Sequence, residues 1–460
     1  MAQLILFYSP QVCEDLIPQI AAELFCVNLR ASDQCHLRGD RRTTMNLFII
    51  MKINKYLPFA FIYFFVNSLG LPFGLTYTAI LSPLLYWWVI IERKKEILLP
   101  FLVCLAPFLI AQLILGVDTR VYIISVINYM AVYIFCQAFY TFLKTGEDVE
   151  KIFSKILIVN FILCLVAIGI YFTSYDEILW MRQVITTGAE DFTRLKLFTY
   201  EASYYATLFI PLFFFYFMQV ILKQNKINSW LLLFMLIVPY ILSFSIGVIT
   251  CLLLSALVTY LIYFRSLNKK KRVLTLLIVT ASVSVSFFMI IWLFVPHNVI
   301  FLRLENILSG NDTSGNGRTS DAFLLAGKIL EQKSLAWGVG PGQIKILGAD
   351  IIRSYYLYDL DYNTFAIPNA VAETMVIFGY IGLSLRFLIE LFLFFYTRVW
   401  KNYYRLLLFI FIFLYQFTGS FITNIAEYVI WILAFTNAFP GFDIRKNYPG
   451  SANTYQKEMK

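Results

Sequence analysis

Hydrophobic and polar positions segregate along this chain into long blocks rather than alternating residue by residue. About a dozen apolar runs are separated by short polar breaks, at residues 56–69, 73–91, 97–115, 121–143, 153–172, 198–222, 230–242, 247–264, 273–295, 367–396, 404–417 and 424–439. A hydrocarbon core about 30 Å thick is crossed by roughly 20 apolar residues in a helix, and backbone inside it must satisfy its own hydrogen bonds. The pattern predicts an all-α, polytopic integral membrane protein with about 12 transmembrane helices.

The polar breaks carry a sidedness signal. With the N-terminus in the cytoplasm, five basic clusters fall on one side: Arg93-Lys94-Lys95, Lys144 with Lys151 and Lys155, Lys223 with Lys226, Lys269-Lys270-Lys271-Arg272, and Arg398 with Lys401 and Arg405. The alternate short turns hold almost no Lys or Arg, which is the positive-inside pattern. Both termini are then cytoplasmic, and the external side owns a segment at about 173–197 and a much larger one at 296–366. The organisation that follows is a tail over 1–55, nine spans over 56–295, the large external loop over 296–366, three further spans over 367–440 and a tail over 441–460. The residues before Met45 differ from the rest in being mixed and polar, and Met45-Asn46-Leu47-Phe48 reads as an ordinary start, so no function is built on that tail.

Composition agrees. Hydrophobic residues make up 60% and charged residues 14%, against about 25% charge in a soluble globular domain. The net charge of +9 is absorbed by the cytoplasmic turns, so nucleic acid is not implied. Of seven cysteines, Cys104, Cys136, Cys164 and Cys251 lie in spans and Cys13, Cys26 and Cys35 in the N-terminal tail, so no disulfide is available to the external segments.

Chemistry belongs in the polar stretch between the last apolar runs. It opens with His297, Asn298 and Arg303, then passes through a stretch at 310–317 whose Gly, Asn and Ser content predicts a mobile linker. Thr319 or Ser320 can cap a short amphipathic helix with Ala322, Phe323, Ala326, Ile329 and Leu330 on one side. Trp337-Gly338-Val339-Gly340-Pro341-Gly342 ends that helix in turns. Its spacing is not a dinucleotide fingerprint, and no phosphate-binding lysine follows in register. Tyr355, Tyr356, Tyr358 and Tyr362, interleaved with Arg353, Asp359 and Asp361, suit stacking on sugar rings; the same residues also read as an interfacial aromatic belt. No His, Cys or carboxylate cluster has metal-ligand spacing on the external face.

Several of these features in order resemble the O-antigen ligase and polymerase family. They are Arg194 before Phe198-Thr199-Tyr200-Glu201-Ala202-Ser203, the large late loop with Arg318 and Trp337 to Gly342, and Pro368-Asn369 leading into Phe378-Gly379-Tyr380-Ile381-Gly382-Leu383. The resemblance implies a GT-C-like membrane glycosyltransferase of the bacterial inner membrane, with its active site periplasmic. The donor is a glycan on undecaprenyl diphosphate, the partners are lipid-linked oligosaccharides, membrane lipids and a chain-length regulator, and no cofactor is required. Such a transfer needs a cationic clamp for the leaving diphosphate and a base for the acceptor hydroxyl.

Arg194 and Arg318 match the arginines that the family places near the diphosphate, a task suited to a permanently charged planar fork. Anchoring at the headgroup level is the plainer reading of both. Glu201, two turns after Arg194 and placed by the sequence pattern on the same helical face, is a third catalytic candidate, as base or as partner of an arginine. Trp337, Gly338, Gly340, Tyr355, Tyr356 and Asn369 are the substrate-binding candidates. Two departures matter. Ligases of the family carry His-Asn where this chain has Pro368-Asn369, and the usual Ser-Arg-Gly turn is here Ser245-Ile246-Gly247. Both favour a polymerase over a ligase, and they leave the base among Glu201, Asp361 and Glu373. Arg386 and Glu390, four apart in an apolar run, read as a buried structural pair, with Glu427 as a further partner for an arginine. A lipid-linked oligosaccharide flippase or other transporter is the alternative of a different class, although the two halves show no internal repeat.

Overall fold

The computed structural model describes residues 56–71, 75–146, 148–183, 192–224, 227–263, 305–306, 309–310, 312–356 and 365–444. The N-terminal tail with its three cysteines, the run at 273–295, His297, Asn298, Arg303, Tyr358, Asp359, Asp361, Tyr362 and residues 445–460 of the C-terminal tail lie outside the described residues.

Helices occupy the apolar runs. The first is α1, Leu57–Phe61, continued by a π-helical turn at Ile62–Val66; then come α2, Tyr77–Ile80, α3, Ser82–Arg93, α4, Leu98–Ile114, α5, Thr119–Lys144, and α6, Val149–Ile170. After a β-hairpin follow α7, Ala202–Leu222, α8, Ser229–Ser243, and α9, Ile246–Tyr263. The late loop holds α10, Thr313–Arg318, α11, Ser320–Leu330, α12, Ile344–Leu347, and α13, Ala349–Tyr356, before α14, Ala370–Tyr396, α15, Tyr403–Tyr415, and α16, Ile425–Phe435. Among the described residues five helices are long and apolar enough to cross a membrane, or six if α3 and α4, which meet at a bend of 120°, count as one span. Polar residues at the breaks start these helices: the side chains of Asp118, Asp148, Asn228, Asn369, Asn402 and Asn424 each accept a hydrogen bond from a first-turn amide.

The helix α7 is the centre of the bundle. Its apolar window is 89% buried, against 28% for α9 and 39% for α6, which turn apolar faces outward as lipid-facing helices do. The two ends of the bundle differ in chemistry. At one end Arg93 and Lys144 both stand over the Tyr140 ring, and Glu150 accepts a bond from Gln219 beside Lys223. The late loop and the hairpin gather at the other end.

The structure departs from an all-helical reading in that hairpin. Strand β1, Trp180–Gln183, pairs antiparallel with β2, Phe192–Leu195, setting Met181 opposite Arg194 and Trp180 opposite Leu195. Trp180 and Leu195 are buried, and the Trp180 indole N–H donates to the Ala167 carbonyl at the end of α6. A polar connection beside a hydrophobic helix end satisfies its backbone by pairing with itself. Arg194 is therefore on a strand, not on the helix with Glu201.

One joint fixes the late loop to the bundle. α14 is broken at Gly379, whose φ of 66° and ψ of −172° lie outside helical geometry. The peptide groups freed by the break pair with the loop. Val339 N–H donates to Val376 O (2.8 Å), Gly340 N–H to Ile377 O (3.1 Å), Tyr380 N–H to Leu335 O (2.9 Å) and Ile381 N–H to Ala336 O (3.2 Å). From α4, the Gln112 amide donates to both Trp337 O (2.9 Å) and Ile377 O (2.8 Å), and Tyr122 holds the Gln112 oxygen. The approach is closer than any side chain permits: a Cβ at Gly338 would lie 2.4 Å from Ile377 O, and one at Gly379 2.1 Å from Ala336 O.

Below the joint lies a fully buried polar cluster. Arg386 donates to Glu390 (3.0 Å), to Glu427 (3.2 Å), to Thr374 (2.8 Å), to the Ala370 carbonyl (3.0 Å) and to Gln416, which in turn donates to Glu390 (3.1 Å). A guanidinium in an apolar interior is tolerated when every donor is used, and this one ties α14, α15 and α16 together.

Replacing Gly379 with Ala forces an ordinary side chain into a left-handed position against the Ala336 carbonyl. A stability loss of about 3 kcal/mol is expected. Thermal melting of the purified protein in detergent checks this; an unchanged melting temperature would remove the joint from the account.

Candidate functional site

At the loop end of the bundle, a cavity of about 300 Å³ is lined by Arg194, Ser203, Arg318 and Tyr415, by the Ser245-Ile246-Gly247 turn, and by the polar groups of Asn316, Thr319 and Thr418. Five parts of the chain bring these together: β2, the start of α7, the α8–α9 turn, α10 and the end of α15.

Arg194 comes from β2, which packs on the end of α8 with Phe192 against Phe244. Its Nε donates to the Ser243 carbonyl (3.0 Å), one of the acceptors that the last turn of α8 leaves without a helical partner. That bond fixes the guanidinium at the cavity wall, and a cation there also complements the helix dipole.

Arg318 ends α10. The stretch expected to be a mobile linker is instead this short helix, started by Asp312, whose Oδ2 accepts from Gly315 N–H (3.2 Å). Asn369 then holds the Arg318 backbone: its amide donates to Arg318 O (2.8 Å) and Phe417 O (2.7 Å), while its oxygen caps α14 through Ala372 N–H (2.9 Å). Asn369 thus braces the site from behind.

Glu201 stands just before α7 and meets Arg318, not Arg194. Arg318 Nη2 lies 3.0 Å from Glu201 Oε1, and the Ser203 hydroxyl donates to the same oxygen at 2.5 Å. Burial works to raise the Glu201 carboxyl, but the Arg318 charge, these two bonds and Arg194 outweigh it, and the net shift is downward. Glu201 is accordingly an anionic brace for Arg318 at neutral pH. A group that holds its proton so weakly is a poor base.

The other candidates are placed elsewhere. Trp337, Gly338 and Gly340 belong to the joint at Gly379, with the Trp337 ring packed edge-on against Phe108 at 5.3 Å. Tyr355 and Tyr356 donate to the two oxygens of Asp321 (3.1 and 3.3 Å), strapping α13 to α11, and Lys328 sits 5.7 Å over the Tyr355 ring. The predicted amphipathic helix is α11, and its apolar face covers no open surface; Ala322, Leu325, Ala326, Ile329 and Leu330 are buried as it packs along α14. Glu373 opens a different cavity, described below. Tyr415 and Thr418 were not singled out in the sequence. Their signal was a polar ending, Gln416 to Thr418, on an otherwise apolar run that closes at this end of the bundle.

The electrostatics are mixed. Two guanidiniums and one carboxylate, Asp312, face the cavity, and Asp312 is engaged at the start of α10. Hydroxyls and one amide share the remaining wall with Ile246 and Val248, so an incoming group would meet two planar forks and several neutral donors. Phosphate oxygens have that complementarity.

Fold and site together define a class: a helical protein with long apolar helices suited to a multi-pass membrane setting, and a polar, arginine-lined cavity at one end. Compared with known proteins, the chain matches no family model and no curated protein.

The Arg318 and Glu201 side chains are 31% and 21% exposed, so their ion pair contributes about 1 kcal/mol rather than the larger figure of a dry one. Because the Glu201 carboxyl is held below its ordinary value, that contribution is complete at neutral pH and is lost only as pH falls through the lowered value. Melting curves against pH are expected to show this acid-side loss in the wild type and to lack it in Glu201→Gln; identical profiles would disconnect Glu201 from Arg318.

Proposed function

We propose that the chain is a membrane glycosyltransferase, a polysaccharide polymerase that passes a growing glycan from undecaprenyl diphosphate to a lipid-linked repeat unit on the periplasmic face of a bacterial inner membrane. The reading includes about twelve spans in a GT-C-like arrangement. The observation that carries it is the convergence of Arg194 and Arg318, far apart in sequence, on one cavity wall.

In the proposed reaction an acceptor hydroxyl oxygen attacks the anomeric carbon, the bond from that carbon to the diphosphate oxygen breaks, and the acceptor proton passes to a base. The leaving diphosphate gains charge as the bond breaks. Arg194 and Arg318 are positioned to take it, braced by Ser243 O and Glu201, so the clamp is organised before the substrate arrives. Support for a polymerase over a ligase comes from Pro368-Asn369. No histidine stands there, and the Asn369 side chain is spent on Arg318 O, Phe417 O and the α14 cap. The turn where the resemblance expects a third arginine does face the cavity, and it presents Ile246.

Deleting the gene in its host and running the surface polysaccharide on a gel tests the reading. A ladder collapsing to a single-repeat band, restored by the wild-type gene and not by Arg318→Ala, is the expected result. Loss of every repeat from the core would indicate a ligase or flippase, and an unchanged ladder would remove the assignment.

A further inference from the structure

A second cavity, of about 210 Å³, opens beside the segment that precedes α7. Tyr200 lines it, and the next residue, Glu201, is bonded to Arg318 of the first cavity. Consecutive residues thus connect the two.

Its lining differs from the first in kind. Tyr200 and Tyr204 form an aromatic wall with ring centroids 4.8 Å apart and planes inclined by 30°. The Tyr204 hydroxyl accepts from the Asn67 amide (3.4 Å). Facing the wall are Asn128 from α5, Glu373 from the first turn of α14, Lys345 from the late loop and the hydroxyl of Thr423. Asn128 is the informative member. It sits on a helix long and apolar enough to cross a membrane, it is half-buried, and among the described residues its amide makes no hydrogen bond. An amide with no partner among the described residues, on a cavity wall, is available to a group that enters the cavity. Glu373 uses Oε2 to accept from Ile422 N–H (2.7 Å), and no hydrogen bond to its other oxygen is made among the described residues.

Two adjacent, mutually tilted phenols with an amide, a carboxylate, an ammonium and hydroxyls around them fit a ligand that has an apolar ring face and many hydroxyls at its rim. The lining favours phosphate less than the first cavity does, because one ammonium faces one carboxylate and the pair of guanidiniums is missing. We infer that this second cavity binds a saccharide, the acceptor end of the transfer whose diphosphate the arginine cavity holds. The inference rests on the glycosyltransferase reading for the acceptor role and on the lining alone for the ligand class.

The test is saturation-transfer NMR on the full-length protein in nanodiscs, with one repeat unit of the host's own surface polysaccharide, freed from its lipid by mild acid, as the probe. Wild-type protein is expected to bind it. Asn128→Ala, and separately Lys345→Ala at an exposed position of α12, are each expected to weaken binding about tenfold, the effect of losing one hydrogen bond to a sugar, whereas Arg318→Ala leaves it unaltered. No binding to the wild type, or wild-type affinity in both Asn128→Ala and Lys345→Ala, would overturn the inference. The two failures are distinguishable. Asn128-dependent binding with an Arg318-independent ladder would sink the transferase reading and keep the saccharide site; an Arg318-dependent ladder with no saccharide bound would do the reverse.

Discussion

Backbone pairing at the break in α14 is the constraint on which the rest of this structure depends. A helix interrupted in an apolar interior leaves peptide groups that nothing in a hydrocarbon environment can satisfy, so the break at Gly379 requires a partner. The late loop supplies it through Val339, Gly340, Leu335 and Ala336, and Gln112 closes the remaining acceptors from α4. The consequence is a fixed position for a long polar segment. With the loop seated at Gly379 and its other flank held by Asn369, α10 is carried over the start of α7, where Arg318 meets Glu201. Gln343 adds a second latch by exchanging hydrogen bonds with the backbone of Asp118.

This arrangement separates two uses of arginine in one molecule. Arg386 is fully buried, and its bonds to Glu390, Glu427, Thr374, Gln416 and Ala370 O make it a structural bolt between three helices. Arg194 and Arg318 are held from behind, by a helix-end carbonyl and by a carboxylate, at the wall of an open polar space. The first is a cation matched internally; the other two sit where an external anion can approach. Guanidiniums held in place beforehand need no reordering when a charged group arrives.

Much of this was legible in the chain. Each apolar run between 56 and 439 whose residues are described contains a helix, and five or six of these helices are long and apolar enough to span, because segments of that composition have little other way to satisfy their backbone. The Arg386 and Glu390 pair was readable from four-residue spacing, and Glu427 joins it as the sequence allowed. Arg194 and Arg318 face one cavity, but their partners were not readable. Helical periodicity put Glu201 beside Arg194, whereas a hairpin carries Arg194 away to α8 and the loop delivers Arg318 in its place. The glycines of the Trp337 motif were read as turn formers near a ligand. Their requirement comes instead from a second backbone arriving from α14, which no local pattern encodes. Tyr355 and Tyr356 likewise looked like sugar platforms, and their hydroxyls go to Asp321 on a neighbouring helix.

The central claim is that Arg194 and Arg318 act as one clamp for a diphosphate. The most direct measurement is the affinity of the purified protein in nanodiscs for undecaprenyl diphosphate, in the wild type, Arg194→Lys, Arg318→Lys and the double variant. Lysine keeps the charge and loses the planar fork, so each single change is predicted to weaken binding about tenfold, and the double change to cost less than the two combined because both forks serve one ligand. Wild-type affinity in both single variants would contradict the claim.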